Sequence, residues 1–335
     1  MRRHFRRALW LLVLPALWLG WGTVCPMWSS ATPYRETLDE HDTLLVVGDL
    51  QRTSIAEAWL LRRERNDAAR RAILRALSDE RDVAGVLLLG DLVFDGSSCA
   101  DWARLDEELS PLRERPLVLV PGNHDYWGLD AQACARLHER FPSLAERSWR
   151  TFRFGAPAGG AGDERRGALA FVLLDSNPDV IGPDGWSAQR RWLRDELRGL
   201  REDASIRGVV LAMHHPALTN STVTGDDDAA AELVQLASET FEPMLVLSGH
   251  AHAYEHFVIG ARHHVVSGGG GGPRVTLLEG EARRHRDVFE GPSPRPFHYL
   301  RLRATREGVR VEAHGFRSGE SEPSRFDRFV VPWSR

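Results

Sequence analysis

Five short polar clusters, each closing an apolar run, hold the side chains able to do chemistry: Gly48-Asp49-Leu50-Gln51, Gly90-Asp91, Gly122-Asn123-His124-Asp125, His214-His215-Pro216 and Gly249-His250-Ala251-His252. Carboxylates, amide oxygens and imidazoles are the donors that hold borderline divalent or trivalent ions, and there are enough here for two ions. Two ions roughly 3.5–4 Å apart lower the pKa of a shared water and clamp the attacking and leaving oxygens of a phosphoryl displacement. Such a site needs a bridging carboxylate, terminal ligands on either side and an acid for the leaving alkoxide. The series Asp, Asp, Asn-His, His and His-x-His contains each part. Taken singly, Gly-Asp after a strand is an ordinary turn. His250 and His252 are two residues apart, and alternate residues of an extended chain share a side, as a common site requires.

Apolar runs bounded by Gly or Pro predict buried strands at 43–48, 83–90 and 117–121, so each cluster falls where a strand leaves its sheet. Between them the periodicity predicts a long Arg-rich helix over 54–78, with Ile55, Trp59, Ile73, Leu74 and Leu77 as its apolar face, and shorter helices near 101–109 and 130–140. Further strands are expected at 149–154, 168–174, 209–213 and 244–247, with helices at 187–202, capped by Ser187, and 226–239. Alternating strand and helix is the mark of a layered α/β fold. After residue 254 strands follow without helices, at 254–259, 263–267, 298–304 and 309–316, which implies a second, more antiparallel sheet. The segments 155–167, 217–228 and 273–296 read as loops framing a cleft.

Several residues have a plain reading beside the functional one. His215 either touches substrate or packs, and His256, His263 and His264 read as structural. Asp95 reads as a turn carboxylate. Trp127, Trp186 and Tyr254 are candidate walls of a pocket or members of the core. The run Gly268–Gly272 is not a phosphate loop, because Pro273 follows where a helix N-terminus is needed; its glycines let backbone pass close beneath the metal edge. Cys99 and Cys134 each follow a polar cluster, so they either tie two loops by a disulfide or remain two thiols.

Arg2, Arg3, Arg6 and Arg7 precede an apolar, Trp-rich run over 8–24. Residues 1–31 therefore read as a signal peptide or N-terminal membrane anchor, with twin arginines at Arg2-Arg3, and residues 32–335 as one catalytic domain. The expected location is outside the cytoplasm, periplasmic or extracellular, or at the membrane through residues 8–24. The chain's net charge is −4, every basic residue being Arg, and residues 1–31 carry four Arg and no acid, which leaves the remainder at −8. An acidic domain argues against a nucleic-acid partner. A small phosphate ester is the expected ligand.

The five clusters, in this order, resemble the calcineurin-like metallophosphoesterases, a family that includes purple acid phosphatases, cyclic-nucleotide phosphodiesterases and Ser/Thr protein phosphatases. The resemblance covers residues 43 to about 316, and Gly122-Asn123-His124-Asp125 with Gly249-His250-Ala251-His252 is its most specific part. It implies a four-layer αββα sandwich with two mixed β-sheets. It also implies that Asp49 and His252 hold a first ion, that Asp91 bridges, and that Asn123, His214 and His250 hold a second, with Mn, Fe or Zn as the metals. His124 would stabilise or protonate the leaving oxygen, oriented by Asp125, and a hydroxide activated by both ions would attack. Two departures stand out. Gln51 occupies the place of a histidine ligand, which loosens the first ion. Phe94 occupies the place of the tyrosine that binds ferric iron in purple acid phosphatases, which argues against a tyrosinate-bound iron centre. The implied activity is phosphomonoester hydrolysis; the alternatives are a phosphodiesterase acting on nucleotides or lipid head groups, a nuclease, or a non-catalytic binding module on the same fold.

Overall fold

The computed structural model describes residues 33–36, 43–154, 168–242, 244–316 and 322–334. The N-terminal segment 1–31 and the loop 155–167 lie outside these residues. No helix among the described residues is long and apolar enough to cross a membrane.

In chain order the elements are β1 (Thr43–Val47), α1 (Ile55–Leu60), α2 (Asp67–Asp79), β2 (Val83–Leu88), α3 (Cys99–Glu108), β3 (Leu117–Leu119), α4 (Asp130–Arg140) and β4 (Arg150–Phe154). They continue with β5 (Ala168–Leu173), α5 (Pro178–Glu202), β6 (Ile206–Ala212), α6 (Asp228–Ser238), β7 (Met244–Ser248), β8 (Tyr254–Ile259), β9 (Arg262–Ser267), β10 (Phe297–Ala304), β11 (Gly308–Phe316) and β12 (Ser324–Pro332). Two six-stranded mixed sheets result, ordered β12-β11-β10-β1-β2-β3 and β4-β5-β6-β7-β9-β8.

The apolar runs have no polar face because each sheet is covered on both sides. Along β1, Leu44 and Val46 join the core between the sheets, while Leu45 and Val47 face α2, α3 and α4. The second sheet divides in the same way. Phe171, Leu173, Val210 and Leu245 point to the first sheet, and Val172, Leu211 and Val246 meet Leu193 and Leu197 of α5 and Leu233 of α6. This period-two partition gives the αββα layering expected of the chain.

The late strands do not form a sheet of their own. β10 pairs antiparallel with β1, and β11 and β12 extend that first sheet, whereas β9 lies parallel to β7 with β8 beside it in the second. Local patterning specifies a strand but not its neighbour, and β12 has no counterpart among the expected strands. The long helix over 54–78 is two helices. Residues 61–66 separate them, Ile73, Leu74 and Leu77 are buried as expected, and Ile55 and Trp59 are exposed. α5 begins at Pro178, earlier than the expected start at Ser187, and bends at Gly182 (φ 70°), where the chain turns before Pro183. Cys134 is a free thiol, so no Cys99–Cys134 disulfide ties the loops.

β1, β2 and β3 run parallel in one sheet and β5, β6, β7 and β9 in the other, so their carboxyl ends lie along one edge of each. Ligands of open α/β sheets bind at such an edge.

Candidate metal centre

All five clusters leave their strands at this edge, and the turn there is sharp. Among the described non-glycine residues only six have positive φ, and four of these are Asp49 (60°), Asp91 (53°), His250 (66°) and His252 (46°). Left-handed backbone is costly for residues with a Cβ, so its concentration here marks positions held by their surroundings. Gly90 (φ 86°) supplies the preceding left-handed residue for Asp91. A Cβ on Gly122 would collide with the Asp91 carboxylate and backbone nitrogen, which explains the glycine opening the third cluster.

Backbone and carboxylate hydrogen bonds stitch the clusters together. The Asp49 carboxylate accepts from His250 N at 3.0 and 2.9 Å, joining first cluster to last. Asp91 Oδ1 accepts from His124 N at 2.9 Å, joining second to third. The carboxylate of Asp125, wholly buried, accepts from Asp91 N (3.0 Å), Leu92 N (2.8 Å) and Gly122 N (2.9 Å). Asp125 therefore positions the backbone of the second and third loops. The His124 ring is thus oriented not by Asp125, as expected, but by the Phe94 carbonyl, which accepts from Nδ1 at 2.7 Å.

Two histidines show how the ligand atoms are aimed. His214 Nδ1 donates to Leu89 O at 2.7 Å and His252 Nδ1 donates to Pro273 O at 2.9 Å. With Nδ1 committed, Nε2 of each ring turns to the centre, the tautomer control typical of metal-binding imidazoles. His214 Nε2 lies 3.2 Å from Asn123 Oδ1, 3.3 Å from Asp91 Oδ2 and 3.2 Å from His250 Nδ1. His252 Nε2 lies 3.3 Å from Asp49 Oδ1 and 3.3 Å from Gln51 Nε2. Two buried carboxylates thus stand among imidazole and amide groups and demand positive charge beside them, which protons on His214 and His252 can supply and which cations would replace. Ligand atoms of Asp49, Asp91 and His252 lie within 4.8 Å of one another, as do those of His214, His215 and His250. Asp91 touches both groups. The buried Gln51 Oε1 has no hydrogen-bond partner, and exchanging the amide's ends would aim that oxygen at His252 Nε2. The donor set and this orphaned oxygen fit two cations.

The electrostatics agree. Burial disfavours a charged His214, yet the adjacent Asp91 carboxylate outweighs it and raises the imidazole pKa to about 10. Burial likewise opposes ionised Asp91, and His214 with His124 overcomes it, holding the carboxyl far below its usual range. His252 is raised because the Asp49 carboxylate outweighs burial. By contrast burial and His214 bring His215 down to about 3, and burial with His215 and His214 pushes His250 well below its ordinary value. Both are thus kept as neutral lone-pair donors, the form that ligates. Burial and Asp91 raise Asp125 to about 7.

The glycine run forms the floor. Gly270 N donates to Gly48 O (2.9 Å) and Gly272 N to Asp49 O (2.8 Å). A Cβ on Gly268 would press on Asp49 Oδ2 and His252 N, and one on Gly272 would press on the His252 ring. Around the rim, Trp127 is 45% exposed and stacks on His124 with ring centroids 4.9 Å apart and planes at 16°. Tyr254, by contrast, is core, its hydroxyl donating to Asp327 at 2.6 Å, and Trp186 packs against α6 through Glu232. His256 and His263 pair with each other, and Asp95 makes a turn with Ser97. His215 joins the second ligand group because the chain leaving β6 bends, so that neighbouring residues both face inward while Ser176 Oγ lies 2.9 Å from its Nδ1. The orienting carbonyls of Leu89, Phe94 and Pro273 have no side-chain signature in the sequence.

The sequence profile of the calcineurin-like phosphoesterases matches residues 43–254. Two uncharacterised proteins from strains of Mycobacterium tuberculosis are each 28% identical over 177 residues, an alignment covering 47% of this chain and 30% of theirs. The chain thus spans less than a third of the length of these curated relatives. Among solved structures, GAP50, described as the anchor in the inner membrane complex of Plasmodium, superposes with a TM-score of 0.62 at 14% identity, covering 89% of this chain and 90% of that one. A purple acid phosphatase from yellow lupin (Lupinus luteus) gives 0.60 at 16% identity, with 90% and 55% covered. A dimetal phosphatase from Danio rerio gives 0.54 at 17% identity, with 88% and 100% covered. These likenesses establish a shared fold.

Proposed function

Because this chain belongs to the calcineurin-like phosphoesterase family, we propose that it is a metal-dependent phosphoric ester hydrolase, and specifically a phosphomonoesterase. The observation that carries the reading is the convergence of His214 Nε2 and His252 Nε2 on carboxylate and amide oxygens, with both Nδ1 atoms already committed to backbone carbonyls. In this reading Asp49, Gln51 and His252 would hold one ion and Asn123, His214 and His250 the other, with Asp91 placed to serve both. A pair of ions there supplies Lewis acidity and an acidified water.

The remaining work falls to the chain's own residues. Asp125 fixes the backbone from which Asp91 and Asn123 project. His124, its Nδ1–H held by Phe94 O and its ring stacked on Trp127, turns its Nε2 edge to the cleft, where the doubly protonated ring would donate to the leaving oxygen. The half-open Trp127 bounds the cleft on that side.

Purified protein supplied with Mn²⁺ is assayed on aryl monoester and diester phosphates, with metal content measured in parallel. Faster monoester turnover and two ions per chain are expected. Faster diester turnover replaces the monoester reading with the diesterase one. No stoichiometric metal, or full metal-stimulated hydrolysis by Asp91→Ala, removes the enzyme reading and leaves a binding module.

A further inference from the structure

α1 is the place where the helical periodicity and the structure part, and what it leaves is a surface. Ile55, Trp59, Leu60 and Leu61 are 76%, 75%, 78% and 63% exposed, more than any other large apolar side chain among the described residues. α1 buries none of its own residues. Single exposed apolar residues are ordinary, but a contiguous group marks an interaction surface.

The tip is exposed on a braced base. Ser54 and Glu57 close a capping box at the start of α1. Thr53 Oγ1 donates to Glu64 O at 2.6 Å, and Arg274 donates to both Glu64 carboxylate oxygens at 2.8 and 2.9 Å. Asn66 Nδ2 donates to Gly272 O at 2.9 Å, and Arg52 pairs with Asp67. The excursion 52–66, which begins directly after Gln51, is therefore pinned to the segment that floors the ligand edge. Nothing in its base depends on the four apolar side chains.

Charge identifies the occupant. Residues 52–65 carry four Arg and two Glu inside a chain of net charge −4, and Arg62 and Arg65 are exposed behind the tip. Indole and leucine side chains enter the boundary between headgroups and acyl chains, while guanidinium groups behind them meet lipid phosphates. A second copy would set like-charged tips against each other. The apolar run over 8–24, which lies outside the described residues, is expected to bring the chain to a membrane during export or by anchoring. We propose that residues 55–61 form a membrane-docking tip that seats in the headgroup region of an anionic bilayer and holds the ligand edge near the lipid surface.

The test uses the full chain, because depth at one position is informative whether or not residues 8–24 also bind lipid. In a Cys25→Ser, Cys99→Ser, Cys134→Ser background shown to retain the wild-type fold, Leu60→Cys and Ile259→Cys are each labelled with an environment-sensitive fluorophore. Ile259 is the control because the β8–β9 hairpin lies at the start of the parallel strands, away from the ligand edge. Protein is mixed with phosphatidylcholine vesicles containing phosphatidylglycerol and doxyl-labelled lipid. The tip label should be quenched at least about threefold more than the hairpin label, and Arg62→Glu with Arg65→Glu should halve that difference or more. Equal quenching at both positions in vesicle-bound protein overturns the proposal. So does a tip label already shielded from aqueous iodide without lipid, which would assign the surface to another segment of the chain or to a second copy.

Discussion

Gly272→Ala is a one-carbon change whose effect can be worked from the contacts. The new Cβ would stand 2.7 Å from His252 Cε1, 2.9 Å from Nδ1 and 3.0 Å from Nε2. Carbon contacts settle at about 3.5–4.0 Å, so ring or backbone must yield by roughly 0.8 Å. The backbone is held from both sides, Gly272 N donating to Asp49 O at 2.8 Å and its carbonyl accepting from Asn66 at 2.9 Å. The ring is held by Nδ1 on Pro273 O at 2.9 Å. Overpacking of this kind costs about 1–3 kcal/mol, and a ligand displaced by about 1 Å lowers turnover on the order of 100-fold. The expected outcome is one ion per chain lost by elemental analysis, kcat/KM on an aryl phosphate down about 100-fold, and a lower urea midpoint. In a His252→Ala background the Cβ meets no ring, so the stability cost should vanish. Gly199→Ala in α5, with nothing within 4 Å of its Cβ, is the control and should be neutral or stabilising by up to about 1 kcal/mol. A Gly272→Ala protein with two ions and full rate, or the same stability cost in both backgrounds, would refute the reasoning.

Three further outcomes follow from the same geometry. Dialysis against a chelator should abolish hydrolysis and lower the melting temperature, with Mn²⁺ restoring both; an ion present at about 1,000 times its Kd stabilises by roughly 4 kcal/mol, and an unchanged melting curve counts against the two-ion site. His124→Ala should slow alkyl phosphates by about 10²–10⁴-fold but nitrophenyl phosphate far less, since a good leaving group needs no proton; equal losses on both would remove the acid role. Burial brings the wholly buried His298 down to about 4 from 6.5, so the unfolded chain binds the extra proton between those values and stability falls as pH drops through that window. The bound is about 3 kcal/mol, read as the difference in urea stability between pH 7 and pH 4, and His298→Phe should flatten that slope.

The ligand side chains were legible because each lies within a few residues of a strand end, where a short motif carries both geometry and chemistry. Asp49, Asp91, Asn123, His214, His250 and His252 all arrive at one edge. Sheet partnership was less legible: β10 sits beside β1 although more than 200 residues separate them, and nothing local in Phe297–Ala304 specifies that register. Periodicity also overreached at Ile55 and Trp59, since a 3.6-residue repeat records amphipathicity but not which phase meets a partner. The orienting roles of Leu89, Phe94 and Pro273 were invisible because their carbonyl oxygens do the orienting, and every residue has one.

The turn geometry joins these observations into one energetic statement. Asp49, Asp91, His250 and His252 hold left-handed backbone, each at an expected cost of roughly 1–2 kcal/mol. Glycine would relieve that cost at every one of these positions, and the chain uses glycine freely next door at Gly48, Gly90, Gly122 and Gly249. The strained positions instead keep the side chains that converge on the two ligand groups, and the glycines surround them where a Cβ would collide. Conformational freedom and ligand chemistry have thus been divided between adjacent residues. A site assembled this way is held against its own backbone preference and buries carboxylates that demand positive charge, so cation binding should stabilise the edge beyond what protons on His214 and His252 supply. That makes the metal edge a part of the fold that gains most from its ligand, as local-stability arguments require of functional loops.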